Sequence, residues 1–137
     1  MYGILHKYIK LNRKEEENGT LVQVFIYRAP KKNHDAMVQL NKHCTEFFRK
    51  HGILRFEVFH LSSTDIVMDF VSIAETLSAT QDEEVWMEIQ SYRDHKHLDE
   101  FIANMKKDMI GESLYQEYLD LITPASRTIM GGFTRLS

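Results

Sequence analysis

The 137-residue sequence predicts an α+β domain in which two β-α-β units share one antiparallel sheet. Three observations predict it. The stretches "LVQVFIYRAP", "ILRFEVFHL" and "EVWMEIQSY" are rich in β-branched and aromatic residues that alternate along the chain, the pattern of strands with two different faces. Residues 34–51 and 94–111 instead repeat apolar side chains every three or four positions, as a helix with one buried face does. Pro30, Gly52, Gly111 and Pro124 punctuate the joints.

Residues 2–11, "YGILHKYIKL", alternate and predict an extra N-terminal strand; the polar stretch after them ends in Asn18-Gly19, a strong hairpin signal. Residues 21–28 form the next strand, stopped by Pro30. Met37, Leu40, Cys44, Phe47 and Phe48 share one face of a helix over 34–51. Asn33 or Asp35 can cap its start, and Gly52 can end it in a left-handed conformation. A strand over 53–61 follows. Residues 62–84 mix a short strand near Ile66–Met68 with a helical turn around Phe70–Leu77. A strand over 84–92 leads to a helix with Leu98, Phe101, Ile102, Met105 and Met109 on one face. Asp94 can cap that helix and Gly111 can stop it. A second helix over 112–122 ends at Pro124, and "RTIMGGFTRL" is the last strand, where Gly131 and Gly132 predict a bulge or a close backbone approach. The order β-α-β, connector, β-α-β is the ferredoxin-like split βαβ pattern in a single domain over 1–137.

Both long helices of that pattern cover one sheet face. The other face is expected to carry Phe25, Phe59 and Trp86 among charged residues. A wholly solvated face has no use for such aromatics, which mark an interface. Two sheets facing each other across a twofold axis would bury it, so a homodimer is expected.

Composition narrows the function. A net charge of -3 gives no general attraction to nucleic acid or to anionic lipid. Cys44 is the single cysteine, which excludes an internal disulfide and points to a reducing cytoplasm. No apolar run is long enough to span a bilayer, and the start "MYGILHKYIK" lacks the pattern of a signal peptide. There is no glycine-rich phosphate loop, GxSxG, CxxC or HExxH, so neither a metal nor a cofactor is expected.

Five stretches carry a resemblance: "FIYRAPKKNHDAM", "FFRKHGILRFEVF", "MDFVSIAETL", "DEEVWMEIQSYRDHKHLDEF" and "RTIMGGF". Over residues 21–136 the chain resembles the dimeric α+β barrel superfamily, which includes antibiotic-biosynthesis-type monooxygenases. Within it, the chain is similar to a family of small prokaryotic proteins of unknown function. Gln23 stands where that family's pattern has an acidic residue. The resemblance implies a dimer, and implies that a pocket, if present, lies between sheet and helices. Cofactor-free monooxygenases of the superfamily let a bound aromatic substrate activate oxygen. Haem-degrading relatives use a tryptophan and a histidine on helical elements; Trp86 is on a strand, so that pairing does not carry over.

The residues themselves offer several candidates. His60 ends a strand and can point inward with Leu54, Phe56 and Val58, as an acid–base group or as a core histidine. Asp69 can partner it if the connector folds back over the sheet. Phe25, Phe59, Trp86 and Tyr92 can line a flat aromatic ligand site or pack a dimer interface. Cys44 lies on the apolar stripe beside His43 and reads as a buried inert thiol. His95 and His97 diverge on a helix and read as a solvated first turn. The expected function is therefore a dimeric α+β barrel protein that binds a small apolar or aromatic molecule between sheet and helices. A cofactor-independent monooxygenase, with His60, Trp86 and Asp69 near the cavity, and a non-catalytic structural dimer are the alternatives.

Overall fold

A computed structural model describes residues 20–124 and 126–136. The predicted strand over 2–11 and the Asn18-Gly19 turn lie outside the described residues. Within them the chain runs β1 (Leu21–Pro30), a 3-10 turn (Lys31–Asn33), α1 (His34–Lys50), β2 (Arg55–His60), one helical turn (Ile73–Thr76), β3 (Glu83–Tyr92), α2 (His95–Lys106), α3 (Ile110–Leu121) and β4 (Ile129–Thr134). The strands form one sheet in the order β2-β3-β1-β4, with every neighbouring pair antiparallel. This is the ferredoxin-like split βαβ fold.

The local signals explain most boundaries. Gly52 takes φ 91°, and the N–H of Ile53 reaches back to the Phe48 carbonyl at 3.2 Å, so α1 ends in the left-handed turn that glycine permits. Asp94 accepts the His97 N–H at 2.8 Å and caps α2. Other expectations are corrected. Gly111 is not a stop: α2 ends at Lys106, and Gly111 is buried in the first turn of α3. Asp108 accepts the Ile110 N–H at 3.1 Å and starts that helix. Ile66–Met68 form no strand, because Met68 takes φ 54° and turns the connector. Gly131 and Gly132 form no bulge: Ile129–Thr134 pair residue for residue with Leu21–Ile26.

The faces of β1 and β3 are exchanged relative to expectation, while β2 keeps Phe56 toward the helices as expected. Phe25 and Trp86 lie on the face that the helices cover, with Tyr27 and Tyr92. The open face carries Val24 beside Ile89, and Ile26 beside Met87. Phe59, as expected, lies on the open face and is 44% exposed. Alternation says which residues share a face; which face receives the helices depends on what the helices can cover. Large rings fill the space between sheet and helices, and short aliphatic chains leave a flat surface.

The core has two apolar parts. One gathers Phe48, Phe56, Tyr92 and Phe101; the other gathers Tyr27, Met37, Trp86 and Tyr118. Cys44, Val58 and Leu114 pack against both. Glu88 pairs in register with Val58 and with Phe25, so a carboxyl group sits where the two parts meet.

Candidate functional site

The covered face of β3 carries a polar ladder through the middle of this core. The Tyr92 hydroxyl donates to Gln90 Oε1 at 2.6 Å, and Gln90 Nε2 donates to Glu88 Oε2 at 2.5 Å. Alternation puts 88, 90 and 92 on one face, so the ladder follows from strand geometry. Glu88 and Gln90 are both buried. Burial pushes the Glu88 carboxyl up to about 7, with the Gln90 hydrogen bond pulling the other way. Burial raises Tyr92 and Tyr27 further above the usual phenol value, and the Glu88 charge adds to both shifts.

Polar atoms without partners surround this carboxyl. The Tyr27 hydroxyl, Asn41 Nδ2 and both amide atoms of Gln23 are buried and make no hydrogen bond. Asn41 favours the ionised form of Tyr27 from alongside it, but no hydrogen bond of normal geometry joins the two. Unpaired buried polar atoms are costly, and each asks for a water or a ligand. Glu88 and Asn41 line a cavity of about 30 Å³ under α1 and α3, room for a water or two. Tyr115 and Tyr118 line both this cavity and an adjoining pocket of about 200 Å³, lined by Phe25, Met130 and Thr128 among others. A dry cavity of about 150 Å³ is enough for a benzene ring. The Tyr118 hydroxyl is tied to Thr128 by a short hydrogen bond.

The sequence candidates are distributed unequally around this chamber. Phe25 lines the larger pocket. Tyr92 anchors the ladder. Trp86 is buried at the other end of β3, its indole N–H unpaired, and Phe59 is on the opposite face. His60 is at the sheet's end, outside the chamber, where Nε2 meets Glu84 Oε2 at 2.8 Å. The carboxylate beside His60 is thus Glu84, and Asp69 is exposed in the connector. Cys44 lines the small cavity, and burial pushes its thiol up to about 12, so it stays protonated. His95 and His97 are buried rather than solvated. His97 accepts the Arg93 N–H at Nδ1 (2.9 Å) and donates from Nε2 to the Gly52 carbonyl (2.7 Å), which joins α2 to the end of α1.

The chain also compares with known families. A profile of the DUF1428 proteins, a family of unknown function, matches residues 20–117. The chain belongs to the DUF1428 family. Comparison with curated proteins gives no match. Among solved structures, this DUF1428 chain is similar to an antibiotic biosynthesis monooxygenase-like protein from Nitrosomonas europaea, with 12% identity, a TM-score of 0.55, and 88% and 93% of the two chains covered. It is also similar to a NIPSNAP family protein of unknown function from Agrobacterium tumefaciens (15% identity, TM-score 0.52, 88% and 94% covered). A protein of unknown function from Rhodopseudomonas palustris superposes with 13% identity, a TM-score of 0.50, and 96% and 93% covered. At these identities the likeness concerns the fold alone, the ferredoxin-like α+β arrangement described above.

Glu88, Tyr27 and Asn41 were not among the sequence candidates. One signal for Glu88 was present: a carboxyl between Trp86 and Gln90 on the same strand face as Tyr92. Asn41 gave none, since a polar residue next to Leu40 on a helix is ordinary.

Proposed function

We propose that this DUF1428 protein binds a small, mainly apolar aromatic molecule with an ionisable hydroxyl, and that Glu88 is the acid–base group of the site. The observation that carries the reading is a buried carboxyl poised near neutrality beside unpaired donors. In the proposed step the Glu88 carboxylate takes the hydroxyl proton, directly or through a water in the small cavity. The products are a neutral carboxylic acid and a phenolate. Asn41 Nδ2–H and the Tyr27 O–H, both unpartnered, are the donors that receive the developing oxyanion. The ring occupies the pocket beside Phe25 and Tyr118. Oxygenation of the bound phenolate by O₂ is the enzymatic form of this reading. The non-catalytic form stops at binding.

4-Nitrophenol is a suitable probe, because its phenolate absorbs visible light. The expected result is saturable binding, with a shift in the phenol–phenolate balance that Glu88→Gln abolishes. Oxygen consumption with an electron-rich phenol separates the enzymatic form from the binding form. The reading fails if no small monocyclic phenol binds saturably, or if Glu88→Gln binds with the same proton equilibrium as the parent chain.

We further propose that two copies associate through their open sheet faces. Val24, Ile26, Met87 and Ile89 form a continuous aliphatic strip there, with Phe59 and Phe133 exposed at its sides. Such a strip is larger than isolated exposed apolar residues, which are common on monomers. A reducing cytoplasm remains the proposed setting, on the strength of the lone cysteine.

A further inference from the structure

Outside the chamber, three side chains from three elements converge at one end of the sheet. His34 is the first residue of α1, His60 the last of β2, and Glu84 the second of β3. His34 Nδ1 lies 3.0 and 3.2 Å from the two Glu84 oxygens. His60 Nε2 lies 2.8 Å from Glu84 Oε2. One ligand atom from each residue lies within 4.8 Å of the others. We propose that these three residues bind a divalent first-row transition ion, with zinc the best match, and leave a coordination position open.

The donor set fits the ion. Two imidazole nitrogens and one carboxylate oxygen suit zinc and its neighbours better than magnesium or calcium, which prefer oxygen ligands. Metal–ligand bonds of about 2.1 Å put tetrahedral ligand atoms about 3.4 Å apart, so the two hydrogen-bonded separations need to open by about half an ångström. On coordination each imidazole binds through the nitrogen that now faces Glu84 and carries its proton on the other ring nitrogen. The metal replaces the protons shared with the carboxylate.

The surroundings hold the ligands in place. Trp86 packs against both rings, with centroids 5.6 Å from His34 and 5.2 Å from His60. The neighbouring Glu83 is engaged elsewhere, by Arg28 at 3.1 Å and by Thr123 at 2.5 Å. Glu84 is therefore the carboxylate left for the imidazoles, and only 13% of its side chain is exposed. His60 and Glu84 also line a groove of about 470 Å³ beneath the connector, beside Ser62 and Ser63. The open coordination position would face this groove. Lys31 lines it too; its charge opposes the cation and favours an anionic group on the open position.

The single tryptophan of the chain makes occupancy measurable. Untagged, chelator-treated full-length protein is titrated with Co²⁺, which quenches nearby indole emission and absorbs visibly when bound in a distorted tetrahedral site. The expected result is quenching that saturates at one ion per chain, reverses with EDTA, and raises the thermal midpoint. Glu84→Gln and His60→Ala should each weaken it by at least about tenfold, and His43→Ala, on the exposed side of α1, should not. Metal-free melting curves of the variants separate lost ligation from lost folding. Either of two results overturns the proposal: no saturable quenching below millimolar Co²⁺, or unchanged affinity in folded Glu84→Gln and His60→Ala proteins.

Discussion

At the scale of single residues, the chemistry of this protein depends on where burial places a few polar groups. Glu88 is the sharpest case. Its carboxyl is held up near 7 by burial, against a value of about 4.3 in an unfolded chain. Between those values the folded state keeps a proton that the unfolded state releases, so stability falls as pH rises from about 4.5 to 7 and levels off above. The cost of ionisation at the upper end is of order 3 kcal/mol. Glu88→Gln, neutral at every pH, should flatten that slope in urea denaturation measured across the range. An unchanged slope would show that the carboxyl reaches solvent. The sequence shows Glu88 only as one more charged residue on a strand. That it is buried follows from the docking of α1 and α3 over β3, which no local pattern encodes. His60 illustrates the converse. Its alternation with Phe56 and Val58 was legible, but its position at the very end of β2 takes it past the edge of the core and into reach of Glu84.

At the scale of elements, local signals work where the partner is near in sequence. Asp94 caps α2 as its spacing predicts, and Gly52 ends α1. Replacing Asp94 with alanine leaves the His97 N–H without its acceptor and should cost about 1 kcal/mol, read as a lower urea midpoint at unchanged slope. A loss of under a few tenths would mean that the His97 bridge to Gly52 holds the turn without the cap. Signals fail where a distant partner decides. His95 and His97 look like a solvated first turn, yet the Gly52 carbonyl, 45 residues away from His97, draws that ring into the interior. The glycine pair in β4 shows a third outcome. No bulge forms, because β1 pairs with the strand continuously, and a side chain at Gly131 would meet the Phe133 ring at an ordinary 3.5 Å.

At the scale of the whole molecule, the open sheet face matters most. A sheet covered on one side needs either polar residues or a partner on the other, and here the middle of that side is aliphatic, with Arg55 and Glu57 on the outer strand β2. Val24, at the centre of the strip, pairs with Ile89 on one side and Gly131 on the other. Val24→Arg should therefore give a monomer of unchanged circular dichroism, with the parent chain a dimer by light scattering at micromolar concentration. A monomeric parent chain would remove the proposed interface. Among the described residues no helix is long and apolar enough to cross a membrane.

The sequence by itself determined the element order, the fold class and the family, because these depend on periodicity, punctuation and short motifs that act over a few residues. It also determined which side chains share a strand face. Only the tertiary structure decided which face the helices cover, and with it whether Trp86 and Phe25 meet solvent, a partner or the core. The same step buried Glu88 between two apolar clusters and gathered His34, His60 and Glu84 from three elements onto one corner. The physical reason is that burial and side-chain convergence depend on long-range docking, in which filling volume between layers outweighs the preference of any one residue.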